Sequence, residues 1–169
     1  MGAGILPVAL FRGTIFILLG QERHNNLWCD FGGSKEKGET NIQTALREGE
    51  EELNGFLGIN LDLDNLVNNN LLSSIEYDKY ASFLFKVKYD KNLPIYFNNV
   101  NNFAEKHLSD KVNKLHNGLF EKKRIDWYSL ETLKDKKNKL LIRKHYLPHI
   151  DYIIKHERTI KDQLLKINY

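Results

Sequence analysis

The pattern of apolar and polar positions predicts a β-hairpin near the beginning of the chain. Two apolar, β-rich runs cover residues 5–11 and 14–19, and Arg12-Gly13 separates them, as in a tight turn between paired strands. Pro7 has no backbone N–H to donate. We therefore expect the first strand to lie at the edge of its sheet or to be bulged at this residue.

The best-specified element is a helix over about 41–53. Thr40 and Gln43 match a capping box, in which the two side chains satisfy free backbone N–H groups of the first turn. Asn54-Gly55 is a good stop, because both residues tolerate the left-handed conformation. Apolar residues at helical spacing form one stripe along this segment: Ile42, Ala45, Leu46, Gly49 and Leu53.

The rest of the pattern indicates a mixed α/β fold. Strands are expected over 71–77, 80–89 and 124–128, the first two as a second hairpin. Helices are expected over 103–115, from about 130, and in segments from about 139 to 167, where Pro148 kinks or restarts the helix. Polar loops are expected over 20–26, 34–39, 65–70 and 98–102.

Composition places the chain among ordinary globular proteins and suggests one domain over residues 1–169, with a basic helical C-terminal segment from about 139. Apolar residues make up 41% and charged residues 28%, which argues against a disordered or collagen-like chain. Cys29 is the only cysteine, so no intrachain disulfide exists and a reducing, cytoplasmic location is expected. No apolar run approaches the roughly 18 residues that span a bilayer, so no membrane partner is expected.

Charge is distributed unevenly along the chain. Residues 1–103 carry a net charge of −4 and residues 104–169 a net charge of +7. This asymmetry suggests that cations gather on one side of the protein and polyanions on the other. A solvated, lysine-rich helical tail would have the same composition, so both interpretations stay open.

The predicted helix concentrates carboxylates on one side. Glu48, Glu51 and Glu52 are three or four residues apart and fall within a sector of about 100°, away from the apolar stripe. Like charges at this spacing destabilise a helix, unless a cation neutralises them. Mg²⁺ and Mn²⁺ prefer such oxygen ligands. The alternative is a solvated acidic face.

The acidic run belongs to a longer pattern that resembles the Nudix box. Gly33 is followed after five residues by Glu39, and after seven more by Arg47-Glu48 and then Glu51-Glu52. The chain departs from the family pattern at three places: Gly49 at an apolar position, Asn54-Gly55 in place of the closing Gly-apolar pair, and Phe31 in place of proline before Gly32-Gly33. With the flanking strands, the resemblance covers roughly residues 4–135.

The resemblance implies an α/β fold, the Nudix-type α/β/α sandwich with a mixed β-sheet and the catalytic helix at about 41–53. It also implies divalent-metal-dependent hydrolysis of a diphosphate linkage in a nucleoside diphosphate joined to another group, with Mg²⁺ or Mn²⁺ as cofactor. By the same resemblance Glu51 and Glu52 are metal ligands, and Glu48 is a third ligand or the base that activates water. A backbone carbonyl of Gly32 or Gly33 completes the metal shell, and Arg47 orients the glutamates by pairing with Glu39. A surface ion pair is the alternative for Arg47 and Glu39.

Further site residues are predicted with less support. Many members of the family recruit another acid from a loop before the late strand, and Glu121 is the candidate here, with Glu105 as runner-up. Residues near the box or in the basic cluster are candidates for substrate contacts: Arg23, His24, Trp28, Lys122 and Lys123. Tyr77, Phe83 and Phe97 are further aromatic candidates for stacking, and Cys29 is interpreted as a small apolar residue.

The sequence leaves the substrate open. A small nucleotide derivative is the default. Capped mRNA, cleaved to release m7GDP, is the named alternative, because Lys122-Lys123-Arg124 and the basic second half would supply sequence-independent affinity for phosphates. A Nudix-fold module that binds a ligand without hydrolysing it is the alternative from another class. The intact set of box carboxylates argues against that module.

Overall fold

The computed structural model describes residues 1–113 and 120–167. Strands cover Gly2–Phe11 (β1), Thr14–Glu22 (β2), Trp28–Cys29 (β3), Phe31–Ser34 (β4), Leu71–Tyr77 (β5), Tyr80–Lys86 (β6) and Lys122–Ser129 (β7). Helices cover Asn41–Glu52 (α1), Leu61–Asn69 (α2), Leu93–His107 (α3), Ser109–Asn113 (α4), Leu130–Lys134 (α5), Lys136–Lys139 (α6), Leu147–Lys155 (α7) and Glu157–Lys166 (α8), with a 3₁₀ turn at Lys144–Tyr146. Within this part of the chain, no helix is long and apolar enough to cross a membrane.

Strand β1 lies at the centre of a mixed sheet. Its first half pairs antiparallel with β4, its second half pairs antiparallel with β2, and β6 runs parallel along its other side. Strand β2 also pairs with β3 and β7, and β5 pairs with β6. Both predicted hairpins are therefore present, although β6 ends at Lys86 rather than at residue 89.

Alternate residues of β1 face two separate cores, which makes the protein a sandwich. Leu6 and Val8 pack into the core that α5, α7 and α8 cover. Ala3 and Ile5 pack into the core that α1, α2 and α3 cover. Because successive side chains of a strand point to opposite faces, one central strand serves both layers. The expected α/β/α sandwich is confirmed.

The expectation that Pro7 marks an edge strand is wrong. Val8 C=O accepts a hydrogen bond from Val87 N on the β6 side, so the backbone nitrogen of Pro7 points to the opposite side of β1. There, pairing with β4 ends at Ile5 and pairing with β2 begins at Val8. The missing N–H therefore falls at the change of partner, where no ladder hydrogen bond is lost.

Helix α1 forms as the sequence predicts. Thr40 N donates to Gln43 Oε1 at 2.8 Å, and Gln43 N donates to Thr40 Oγ1 at 3.3 Å, so the capping box is complete. The C-terminal region also follows the prediction that Pro148 restarts a helix, since it lies in the first turn of α7. Before that restart, Ile142 is not helical but forms a parallel bridge with Trp28.

Two of the predicted loops are helices. Residues 65–70 lie mostly in α2, where Leu63 and Val67 are buried, and residues 98–102 lie inside α3. The asparagines of α3 bond to the free edge of β7: Asn98 Nδ2 donates to Ile125 C=O, and Ile125 N donates to Asn98 Oδ1. The Asn98 side chain thus makes the two backbone hydrogen bonds that a neighbouring strand would make, a role that the turn propensity of asparagine does not reveal.

Two further boundaries differ from the predictions. Strand β2 continues to Glu22, into the predicted loop over 20–26, because it pairs with β7 along residues 16–22. The helix predicted over 103–115 is divided into the end of α3 and the short α4. The last two predicted residues, 114–115, lie outside the described residues.

Candidate functional site

Helix α1 approaches the sheet closely along its apolar stripe. Ala45, Gly49 and Leu53 are buried there, and a Cβ atom at position 49 would overlap the side chain of Ile5. The carboxylate of Glu48 lies against Gly33 of β4, and that of Glu52 contacts Gly32 of β4 and Lys122 at the start of β7. A purely solvated acidic face is wrong for Glu52, whose side chain is only 4% exposed.

Arg47 holds the loop before α1 against the helix. Its guanidinium donates to both oxygens of Glu39, from Nε at 2.8 Å and from Nη2 at 3.1 Å. It also donates to Glu48 Oε1 at 2.8 Å and to the backbone carbonyl of Ser34 at 3.1 Å. Hydrogen bonds from Arg47 and Thr44 lower the pKa of Glu39 to about 2. The bidentate pair with Glu39 and the hydrogen bond to Glu48 fix the orientation of both carboxylates.

The two glycines of β4 allow the glutamates to reach the backbone. A Cβ atom at Gly33 would overlap the carboxylate of Glu48, so this approach requires glycine. Gly32 N donates to Glu52 Oε2 at 2.7 Å. The expected ligation of a metal by a carbonyl of Gly32 or Gly33 stays a prediction.

A buried lysine lies at the inner end of this site. Lys122 Nζ is 2.7 Å from Glu22 Oε1 and 3.1 Å from Glu52 Oε2, and its side chain is 0% exposed. Arg143 Nη1 is 3.0 Å from the same oxygen of Glu22. Burial alone would raise the pKa of Glu22, but Lys122, Cys29 and Arg143 together lower it to about 2. Burial and the charge of Glu22 raise the pKa of Glu52 against the pull of Lys122.

The outer carboxylates repel one another. Partial burial and the neighbouring charges of Glu48 and Glu121 raise the pKa of Glu51. Partial burial and the charges of Glu48 and Glu22 raise the pKa of Glu121. Arg47 lies 3.9 Å from Glu51, and the charges of Lys122 and His24 partly oppose the shift at Glu121. These acids therefore share a negative field that a cation would stabilise.

One groove of about 590 Å³ collects most of these groups. Its walls come from β2, β4, α1, the start of β7 and the segment before α7: Glu22, Arg23, His24, Gly32, Gly33, Ser34, Glu48, Glu52, Glu121 and Arg143. A second cavity of about 370 Å³ lies across β4 and shares Gly32, Gly33, Ser34 and Arg143 with the first. Glu51 lies beside the acidic groove rather than in its wall, on the outer face of α1.

The structure corrects several of the predicted substrate contacts. Trp28 is 2% exposed and belongs to the core under α5 and α7, so it has no free face for stacking. Phe97 is buried and Phe83 packs against the core. Tyr77 is exposed but borders the second cavity.

The basic cluster is also divided. Lys122 points inward to the carboxylates, Lys123 is exposed, and Arg124 Nε donates to Gln21 Oε1 at 2.9 Å while its guanidinium lies over the Trp28 ring. In a strand, successive residues face opposite sides, so three consecutive basic residues do not form one surface patch. Cys29 is buried but not apolar in its contacts, because its thiol donates to Glu22 Oε1 at 3.0 Å.

Arg23 and His24 do line the acidic groove. Arg23 is bound on the far side by Glu105 at 3.2 Å, which places Glu105 outside the groove wall and leaves Glu121 as the fourth acid within it. His24 Nδ1 lies 3.7 Å from Glu22 Oε2.

Sequence reasoning missed Glu22, Arg143 and Asp30. Glu22 falls in the predicted loop over 20–26, although strand β2 continues to it. Arg143 comes from a segment outside the box, and nothing local indicates that it reaches Glu22. Asp30 is buried, accepting from Tyr80 Oη at 2.8 Å and Ser82 Oγ at 2.7 Å, and burial raises its pKa to about 6.

The donor set suits a hard divalent cation. Carboxylates from α1 and from the start of β7 converge beside the backbone of β4, and oxygen is the ligand such ions prefer. As they are oriented, however, no three Asp, Glu, His or Cys side chains of the described ranges already form a metal-binding cluster. The reason is visible in the contacts, since Arg47 holds Glu48 and Lys122 holds Glu52.

Comparisons with known proteins identify the architecture. No protein-family model matches the chain, and no curated protein sequence matches it. A crystal structure of a Nudix hydrolase from M. smegmatis, RenU, aligns with 95% of this chain and 87% of its own, at 14% identity and a TM-score of 0.54. The chain has the Nudix fold. A bifunctional NMN adenylyltransferase/ADP-ribose pyrophosphatase from Francisella tularensis, complexed with AMP and a Mn ion, aligns over 91% of this chain and 41% of its own, at 18% identity and a TM-score of 0.55.

The Nudix fold extends beyond the segment that the box resemblance covers. The alignment with RenU takes in nearly the whole chain, whereas the sequence resemblance ends near residue 135. The segment that supplies Arg143 therefore belongs to the same architecture.

Proposed function

We propose that the protein is a divalent-metal-dependent hydrolase that cleaves the diphosphate linkage of a nucleoside diphosphate joined to another group. One observation carries the proposal: Glu48, Glu52 and Glu121 converge with Gly32-Gly33 on a single groove, with the spacing of the Nudix box. The Francisella neighbour, which was crystallised with AMP and a Mn ion, is in keeping with a nucleotide-type substrate and a cofactor of this kind.

The box residues and Glu121 have two kinds of role in this mechanism, metal binding and positioning. Glu48, Glu51, Glu52 and Glu121 would provide the oxygens that hold Mg²⁺ or Mn²⁺. When bound, the cation neutralises phosphate charge and lowers the pKa of a coordinated water. Glu48 is either a ligand or the base that takes a proton from the attacking water. Arg47 is a positioning residue, because it fixes Glu48 and Glu39 through hydrogen bonds at 2.8 Å.

The groove also offers cations to the substrate. Arg23, His24 and Arg143 line the same groove as Glu48, Glu52 and Glu121. A diphosphate bound in this groove would meet both the cation that the glutamates would hold and the positive charge of these basic side chains. Such an arrangement stabilises the charge that develops at phosphorus during attack by water.

The first test is product analysis with Mg²⁺ or Mn²⁺ on a mixed panel of substrates. The panel holds dNTPs, NDP-sugars, ADP-ribose, NADH, dinucleoside polyphosphates and cap-labelled RNA. Glu48→Gln and Glu52→Gln should abolish turnover. The matched control is Glu50→Gln, because Glu50 lies on the same helix but accepts from Asn60 N at 2.7 Å, outside the groove. Binding of a nucleotide by the wild type, with no turnover of any panel member, would support the non-catalytic module instead.

Capped RNA is retained as an arm of the panel. Since Lys122 is buried, the predicted phosphate-binding cluster retains only Lys123 and Arg124 at the surface, and Arg124 Nε already donates to Gln21 Oε1. We therefore expect small nucleotides to be cleaved with weak salt dependence. Release of m7GDP, with strong loss of activity at high salt, would identify a decapping enzyme.

A further inference from the structure

The inner end of the acidic groove has its own cations. Lys122 Nζ bridges Glu22 and Glu52 at 2.7 and 3.1 Å, and Arg143 contacts Glu22 at 3.0 Å. Lys122 also lies 3.1 Å from Cys29 Sγ. Two carboxylates thus face two basic side chains, so the inner end is neutral without any added ion.

The outer end is different. Glu39, Glu48 and Glu51 share one guanidinium, that of Arg47. Glu121 adds a fourth carboxylate, whose pKa the neighbouring charge of Glu48 helps to raise. Basic side chains therefore match the carboxylates in number at the inner end, whereas the carboxylates in and beside the outer end of the groove outnumber Arg47. Because the attraction of a divalent ion grows with uncompensated charge nearby, added cations will concentrate at the outer end.

Lys122 also has the geometry of a bound cation. Its ammonium is wholly enclosed, its carboxylate partners come from β2 and α1, and Glu52 Oε2 additionally accepts from Gly32 N at 2.7 Å. A lysine in such a position is too deep to contact a substrate directly. A buried charge of this kind is retained only when its partners compensate the loss of solvation.

We propose that the Lys122 ammonium is a resident cation of the metal centre, occupying the position between Glu22 and Glu52 that a divalent ion would otherwise take. Divalent cations then bind only on the outward side, where Glu52 is shared with Glu48, Glu51 and Glu121. The inference rests on the proposed function in one respect, that these carboxylates bind divalent ions.

The experiment counts bound ions without substrate. Lys122→Met keeps an unbranched side chain that is one heavy atom shorter and removes its charge, and Lys123→Met is the matched control on the exposed face of β7. Mn²⁺ binding is followed by the electron paramagnetic resonance of free Mn²⁺, and the thermal midpoint is measured with and without Mn²⁺. We expect Lys122→Met to bind one more Mn²⁺ per chain than the wild type, and its midpoint to rise more steeply with Mn²⁺. Lys123→Met should match the wild type in both.

A second variant links the extra ion to its carboxylates. Adding Glu22→Gln to Lys122→Met removes one of the two acids, so the additional Mn²⁺ should be lost. If Lys122→Met is unfolded in metal-free buffer, the proposal requires that Mn²⁺ restores the native circular dichroism spectrum. An unchanged ion count, or a variant that stays unfolded with Mn²⁺, would overturn it. A wild type that binds Mn²⁺ but cleaves nothing would overturn the proposed function alone.

Discussion

Gly49 of helix α1 lies directly against the side chain of Ile5 on strand β1. The Nudix box has an apolar side chain at this position, and the chain has none. The sheet supplies the missing volume, because Ile5 fills the space that the apolar side chain would occupy. The close approach of helix α1 to strand β1 therefore depends on the small residue at position 49 and the large side chain at position 5.

Gly49→Ala should destabilise the protein. Alanine stabilises a helix interior by up to about 1 kcal/mol relative to glycine, but its Cβ would overlap Ile5 in a closely packed core, which costs about 1–3 kcal/mol. We expect a net loss of about 1–2 kcal/mol in the free energy of unfolding, measured by urea denaturation. Adding Ile5→Val removes the Cδ1 atom and should recover part of that loss. A Gly49→Ala variant more stable than the wild type would contradict the contact.

The Glu39–Arg47 pair predicts a specific acid response. Glu39 titrates near 2 in the folded protein and near 4.5 when unperturbed. A carboxylate with a lowered folded pKa binds fewer protons than in the unfolded chain. The contribution of the Glu39 carboxylate to the free energy of unfolding is thus complete above about pH 4.5 and disappears as the pH falls towards 2. Carbon-detected NMR titration of Glu39 should show this low pKa, and Arg47→Gln should return it towards 4.5.

His149 predicts a second pH effect, near neutrality. Its ring is 0% exposed, stacks on Tyr146 and contacts Tyr77 and Tyr80 edge-on. Burial lowers its pKa from 6.5, the nearby charge of His145 lowers it further, and backbone groups of Tyr80 and Ile75 oppose the shift. The unfolded chain therefore binds the proton first, and stability falls as the pH drops below about 6.5.

The test compares His149→Phe with the wild type between pH 8 and pH 5. Phenylalanine keeps the stacking and removes the titration, so the midpoint of the variant should decline less on acidification. His156→Phe is the control, because His156 is on the surface side of the junction between α7 and α8. If the midpoint changed with pH in the same way in the wild type and in His149→Phe, protonation of His149 would not contribute to the loss of stability, and the prediction would be wrong.

Neutralising one of the outer carboxylates should weaken metal binding without unfolding the protein. Glu51→Gln should weaken Mn²⁺ binding by at least roughly tenfold, since even an outer-shell partner of a metal ligand is worth that much. The protein should become slightly more stable without metal, because Glu51 repels Glu48 and Glu121. Glu50→Gln should change neither quantity. Isothermal titration calorimetry and thermal unfolding measure the two effects.

Local signals made helix α1 predictable. The capping box of Thr40 and Gln43, the apolar stripe and the Asn54-Gly55 stop act within a few residues, and each is present in the structure. The carboxylate spacing is likewise a local property, because a helix converts it directly into a shared face. This is why the groove with Glu48 and Glu52 could be anticipated.

The errors come from residues whose partners are distant in the sequence. Asn98 looks like turn material until β7 is known to need a hydrogen-bonding neighbour at its edge. Lys122 looks like a surface cation until β7 turns it towards Glu22, 100 residues earlier. Propensity and composition describe a residue's own neighbourhood, so they carry no information about a contact that only the folded sheet creates.

The separation between Glu22, Lys122 and Arg143 has a consequence for the order in which the site is assembled. Arg143 meets Glu22 across 121 residues, and domains begin to form while the chain is still being synthesised. A growing chain presents every acid of the Nudix box before the ribosome has added either inner cation. The charge balance of the groove is thus completed only after the residues beyond 121 have been added and β7 has joined the sheet.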